Sequence, residues 1–139
     1  MAALNELVRI SRWHLDEKRR KLGDLERFAD RLREDLKALE DSIAREQQIA
    51  ARDVSARHTY PAYLEAELQR RERLKKSIAD VDQQVEEMRE TVAEAFREVK
   101  KYEMAKSNQD QRIADQRRKA EEKQLDEMGT QMHQRKSNA

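Results

Sequence analysis

The residues best suited to grip another molecule lie near the start of the chain, in RWHLDEKRRK, residues 12 to 21. Trp13, the single tryptophan, has Arg12, Lys18, Arg19, Arg20 and Lys21 as neighbours. An exposed indole beside guanidinium groups is a common anchor of protein interfaces. The ring supplies rigid apolar area, and arginine supplies a planar fork of donors. A plainer role suits the same residues, with Trp13 packing on the stem of another helix near Lys101 or covering arginine side chains. A second charged cluster lies in RIADQRRKAEEKQLDEMG, residues 112 to 129, where Arg117 and Arg118 precede Asp126 and Glu127. Its plain reading is a solvated, fraying helix.

Other chemistry finds little support. His14, His58 and His133 are far apart in the chain, and no helical spacing gathers two of them as a metal site requires. Asp82 and Glu86 could share acid and base work inside a dry pocket, but a thin helical protein offers none, so they read as a solvated face. Gly23 and Gly129 are isolated and form no phosphate-cradling loop. Neither a catalytic residue, a cofactor-binding residue nor a metal ligand is expected, and the chain is not expected to be an enzyme.

The elements that must carry these residues follow from composition. Of 139 residues, 42% are Asp, Glu, Lys or Arg and 4% are aromatic, too little apolar material for a thick core. Two glycines and one proline argue against disorder, and abundant Ala, Glu, Lys, Leu, Arg and Gln favour helix throughout. With 30 basic residues against 29 acidic, no strong field recruits nucleic acid or an anionic membrane. The absence of cysteine excludes disulfides and suits a reducing cytosol. The opening MAALNELVRISRWHLDEKRR has no continuous apolar run, so neither a signal peptide nor a membrane span is expected.

Periodicity fixes the arrangement. Seven-residue steps from Leu15 visit Leu22, Ala29, Leu36, Ile43 and Ala50, with Leu25, Leu32 and Leu39 as the companion series. A second seam runs through Leu74, Ile78, Val81, Val85, Met88, Val92, Ala95, Val99 and Tyr102, then fades into Lys106, Gln109, Ile113, Gln116 and Ala120. Between the seams stands Pro61, which cannot donate within a helix but fits a helix start, with Thr59 or Tyr60 near the cap.

The fold expected is all-α: a long antiparallel two-helix coiled-coil hairpin, turning near residues 54–61, with the second helix overhanging the first. Folding back near Arg57 pairs positions whose numbers sum to roughly 114, so Leu36 meets Ile78, Ala29 meets Val85, Leu22 meets Val92 and Leu15 meets Val99. Helix one is expected over about 4–53, helix two over about 62–128 and a frayed tail over 129–139, all within one domain, 1–139. Such a hairpin is roughly 70 Å long, with an overhang of about 20 residues. Gly23 weakens helix one and Gly129 ends helix two in this reading. The competing arrangement is one continuous helix, kinked at Pro61, in a parallel dimer.

Three stretches resemble the flagellar export protein FliJ family. RISRWHLDEKRRKLGDLE, residues 9 to 26, is similar to its amino-terminal signature, VSARHTYPAYL, residues 54 to 64, to its middle turn, and EEKQLDE, residues 121 to 127, to its carboxyl end. The resemblance covers nearly the whole chain, with WHLDEKRR its most distinctive run. Gly23 departs from the helix former usual there. The resemblance implies a non-enzymatic component of the bacterial flagellar type III export apparatus, a coiled-coil hairpin similar to the gamma subunit of rotary ATP synthases. Its implied partners are the hexameric export ATPase, the export gate membrane protein and export chaperones, without nucleic acid or membrane insertion. Its implied location is cytoplasmic and peripheral to the inner-membrane export apparatus.

On that implication a monomeric hairpin would offer Arg12, Trp13, Lys18, Arg19, Arg20, Arg117, Arg118, Asp126 and Glu127 to the ATPase ring. Two other classes compete. A structural rod or stalk would bridge partners with no role in export. A nucleic-acid binder would use Arg12, Arg19, Arg20, Arg117 and Arg118 on phosphates, against which stand the interleaved acids and the lack of stacking aromatics.

Overall fold

The structure, a computed structural model, describes residues 2–138. It consists of α1 (Ala2–Arg52), the single turn α2 (Val54–Arg57) and α3 (Tyr60–Ser137), with no strand among the described residues. The all-α expectation therefore holds. The chain divides into two compact units, one of Met1–Trp13 with Phe96–Ala139 and one of His14–Ala95.

In the His14–Ala95 unit, α1 and α3 run antiparallel. Ala29 packs with Val81 and Val85 in a buried cluster flanked by Leu22, Leu25 and Leu32. Further along, the Arg33 guanidinium donates to both carboxylate oxygens of Asp82 at 2.6 and 2.5 Å, and the hydroxyls of Ser42 and Tyr63 meet at 3.3 Å. Rising numbers on α1 thus meet falling numbers on α3, and Arg33 finds Asp82 within one residue of the expected register. The buried positions Leu15, Ala29, Leu39 and Ala50 fall on the seven-residue series read from the sequence. Removing a Leu or Val side chain from water in this way contributes roughly 1.5–3 kcal/mol.

The reversal is built from short polar side chains. α1 ends at Arg52, and Asp53 takes an extended conformation, φ −120° and ψ 116°, that caps α2. Its carboxylate accepts from the Ser55 amide at 2.9 Å and the Ser55 hydroxyl at 2.8 Å. Those bonds, the hydroxyl's first, hold the Asp53 carboxyl below its ordinary pKa. The last carbonyls of α1 lack helical partners, and Arg57 supplies them, donating to Ala50 O at 2.9 Å and Ala51 O at 3.0 Å. The Tyr63 amide then donates to Thr59 O at 3.2 Å, opening α3 with Pro61 in its first turn. No amide proton is missed there.

The Met1–Trp13 and Phe96–Ala139 unit is also a helix pair over part of its length. Val8, Ser11 and Val99 are buried. Ser11 stands in an apolar seam because its hydroxyl donates back to Val8 O at 2.9 Å, so no polar atom is stranded. Across the pair, Arg12 donates to Glu103 through Nε at 3.3 Å and through its terminal nitrogen at 3.1 Å. Tyr102, Lys106, Gln109 and Ile113 are half-buried, so the seam continues in position where it fades in polarity. From Gln116 onward every described residue is exposed, although the backbone stays helical to Ser137.

Two boundaries differ from the expected ones. α1 begins at Ala2, before residue 4, and α3 passes straight through Gly129. No glycine has positive φ, so Gly129 is no left-handed cap. One interior glycine costs about 1 kcal/mol against alanine, which the surrounding helix formers offset.

Candidate partner-binding surface

Helix geometry decides which of the charged residues face outward. Val8, Ser11 and Leu15 are buried at three- and four-residue spacing. Trp13 lies roughly 160° around the wheel from the centre of that line, and it is 59% exposed. Trp13 therefore stands off the buried seam. Leu7 and Ile10, on the preceding turns, are also exposed.

The basic neighbours divide by environment and by unit. Arg12 belongs with Trp13 and is held by Glu103, which Lys100 also reaches at 3.4 Å. The bond from Arg12, foremost, lowers the Glu103 carboxyl below its ordinary pKa against a smaller opposing effect of desolvation. Arg12 is thus a tied, oriented cation. Lys18, Arg19 and Arg20 belong to the His14–Ala95 unit. Lys18 sits at a seam position and is half-buried, while Arg19 and Arg20 are exposed. Arg20 pairs with Glu17 at 3.0 Å, and Arg19 makes no ion pair among the described residues.

Arg117, Arg118, Asp126 and Glu127 lie on the exposed part of α3, in the same unit as Arg12 and Trp13. Arg118 pairs with Asp115 one turn away at 3.4 Å. Such exposed pairs are worth little, so the cluster can exchange its partners at low cost.

Sequence reasoning missed two features. Glu103 joins Val8, Arg12, Lys100, Met104 and Lys106 around a shallow groove of about 570 Å³. Finding it requires the register between helices, which single-helix patterns do not carry. The other is an apolar line on the α3 extension, Leu125, Met128 and Met132, at 67, 58 and 61% exposure. Their spacing of three and four was the available signal.

What these surfaces offer is recognition. Charged forks, one indole and methionine side chains stand on regular helices, the equipment of a protein-binding face. Among the described residues, no group of three or more His, Cys, Asp or Glu is placed to hold a metal ion. Among the described residues, no helix is long and apolar enough to cross a membrane. A family model described as the flagellar FliJ protein matches residues 1–138. No curated protein and no solved structure matches the chain.

Proposed function

We propose that this chain, which belongs to the flagellar FliJ family, binds the ring of the hexameric export ATPase and links it to the export gate and the substrate chaperones. Membership makes it a component of the flagellar export apparatus. The finer reading adds that it hydrolyses nothing itself and promotes assembly of the ATPase ring, working in the cytoplasm against the inner-membrane export machinery.

One observation carries this reading: α3 stays helical from Gln116 to Ser137 with every residue exposed. Such a stretch has no partner in its own unit, and its mixed charges suit a polar channel lined by several subunits. Arg117, Arg118, Asp126 and Glu127 are its ring-facing contacts in this proposal. Trp13 with Arg12, and Lys18, Arg19 and Arg20 on the second unit, supply further contact.

The test is stimulation of a cognate export ATPase. Trp13→Ala combined with Arg117→Glu and Arg118→Glu removes one aromatic anchor and inverts one exposed patch. Helical content by circular dichroism should match the parent, while the concentration for half-maximal stimulation rises by about tenfold or more. Stimulation equal to the parent's would move the contact to the Tyr60–Tyr63 turn. No stimulation by the parent itself would favour a rod without a role in export.

A further inference from the structure

The exposed line on the α3 extension has an order that suggests its own occupant. Leu125, Met128 and Met132 share a helix face with Gly129, and none is covered within the unit. This face is separate from the covered seam, whose register leads from Ile113 to Gln116 and Ala120. One turn before the apolar line stand Glu121 and Glu122, and one turn after it stand Arg135 and Lys136. The face therefore reads acid, apolar, base. Such an order is complementary to itself when the direction is reversed.

We propose that a second copy of this chain covers the face, the two α3 extensions pairing antiparallel about a two-fold axis at Gly129. The chain's own helix pairs define the stagger: core positions such as Ala29 and Val85, and edge positions such as Arg33 with Asp82 and Arg12 with Glu103. Carried onto two extensions, that stagger sets Leu125 against Met132 of the second copy and Met128 against Met128. It also sets Glu121 against Arg135 and Glu122 against Lys136. The Glu–Arg and Glu–Lys pairs join opposite charges, and the two-fold axis makes each pair occur twice. Parallel pairing would instead oppose Glu121 to Glu121 and Arg135 to Arg135, and like charges across a helix pair destabilise it.

Gly129 fits the same geometry. A side chain begun there would meet nothing within 4 Å in its own chain, so packing inside the copy does not demand a glycine. At a two-fold crossing, glycine opposite glycine lets two backbones approach and seats both Met128 side chains. Residues 121 to 136 span about 24 Å of helix. That contact lies at the small end of specific interfaces, so pairing is weak and depends on concentration. The hairpin within each copy is unaffected.

The experiment is sedimentation velocity on the full chain from micromolar to submillimolar concentration. The parent should shift from monomer toward dimer. Glu121→Lys with Glu122→Lys in one variant, and Arg135→Glu with Lys136→Glu in another, should each weaken association by about tenfold or more. An equimolar mixture of the two should restore it, because every reversed charge then meets its opposite. The chain has no cysteine, so single-cysteine variants report orientation directly. Leu125→Cys mixed with Met132→Cys should crosslink on mild oxidation, and neither variant alone should. A parent that stays monomeric throughout, a mixture that fails to associate, or crosslinking by Leu125→Cys alone would each overturn the proposal.

Discussion

Leu39 and Leu125 sit in similar sequence, each a leucine among acids, bases and helix formers, yet their fates are opposite. Leu39 is 4% exposed within the His14–Ala95 unit, whereas Leu125 is 67% exposed on the α3 extension. Both regions are regular helix. Helix formation here is therefore decided locally, by propensity and neighbouring charges, while burial is decided by whether a second helix is present. The unit with a covered seam stores stability, and the extension without one keeps apolar and charged groups available to other molecules.

Truncation should separate these regions most sharply. Leu39→Ala removes a buried side chain from a core one helix-pair thick and should cost roughly 2–4 kcal/mol in urea unfolding followed by circular dichroism. Leu125→Ala should change the same measurement by under about 0.5 kcal/mol. Equal losses would mean that the extension is covered in the dilute chain, and the contrast would fail.

A smaller effect tests helix propensity apart from packing. Gly23 lies inside α1, and a Cβ built there would meet only the Arg27 guanidinium, at 3.3 Å. That group is the exposed tip of a flexible side chain and can give way. Gly23→Ala should stabilise the fold by about 0.5–1 kcal/mol, read as a higher urea midpoint at unchanged slope. A destabilised variant would show that α1 needs the gap at Gly23 for a reason its packing does not reveal.

The covered region was largely legible in the sequence because a heptad seam writes itself in residue type. Leu15, Ala29, Leu39, Ala50, Val81, Val85 and Val99 are both the apolar positions of the repeat and buried side chains. Pro61 marked the turn for a comparable reason, since one missing amide proton limits where a helix can place it. Legibility failed where residue type and position part company. Lys106 and Gln109 are polar yet half-buried, because long side chains cover a seam with their stems. Gly129 looked like a stop, but it does not take the left-handed conformation of a glycine cap, and the helix formers on both sides carry α3 through it. The link from Arg12 to Glu103 depends on register between helices far apart in sequence. Trp13 could be placed off the seam from spacing alone, whereas what it touches in a complex is a property of two molecules.

The central claim is that covered helix carries stability and uncovered helix carries recognition, and amide hydrogen exchange on the dilute chain tests it most directly. The account predicts slow exchange across the buried positions of the His14–Ala95 unit and fast exchange after Gln116, because unpartnered helix opens locally. Addition of the cognate export ATPase should slow the amides after Gln116 and leave the His14–Ala95 core nearly unchanged. Slow exchange after Gln116 in the free dilute chain, or an ATPase that protects only the His14–Ala95 unit, would contradict it.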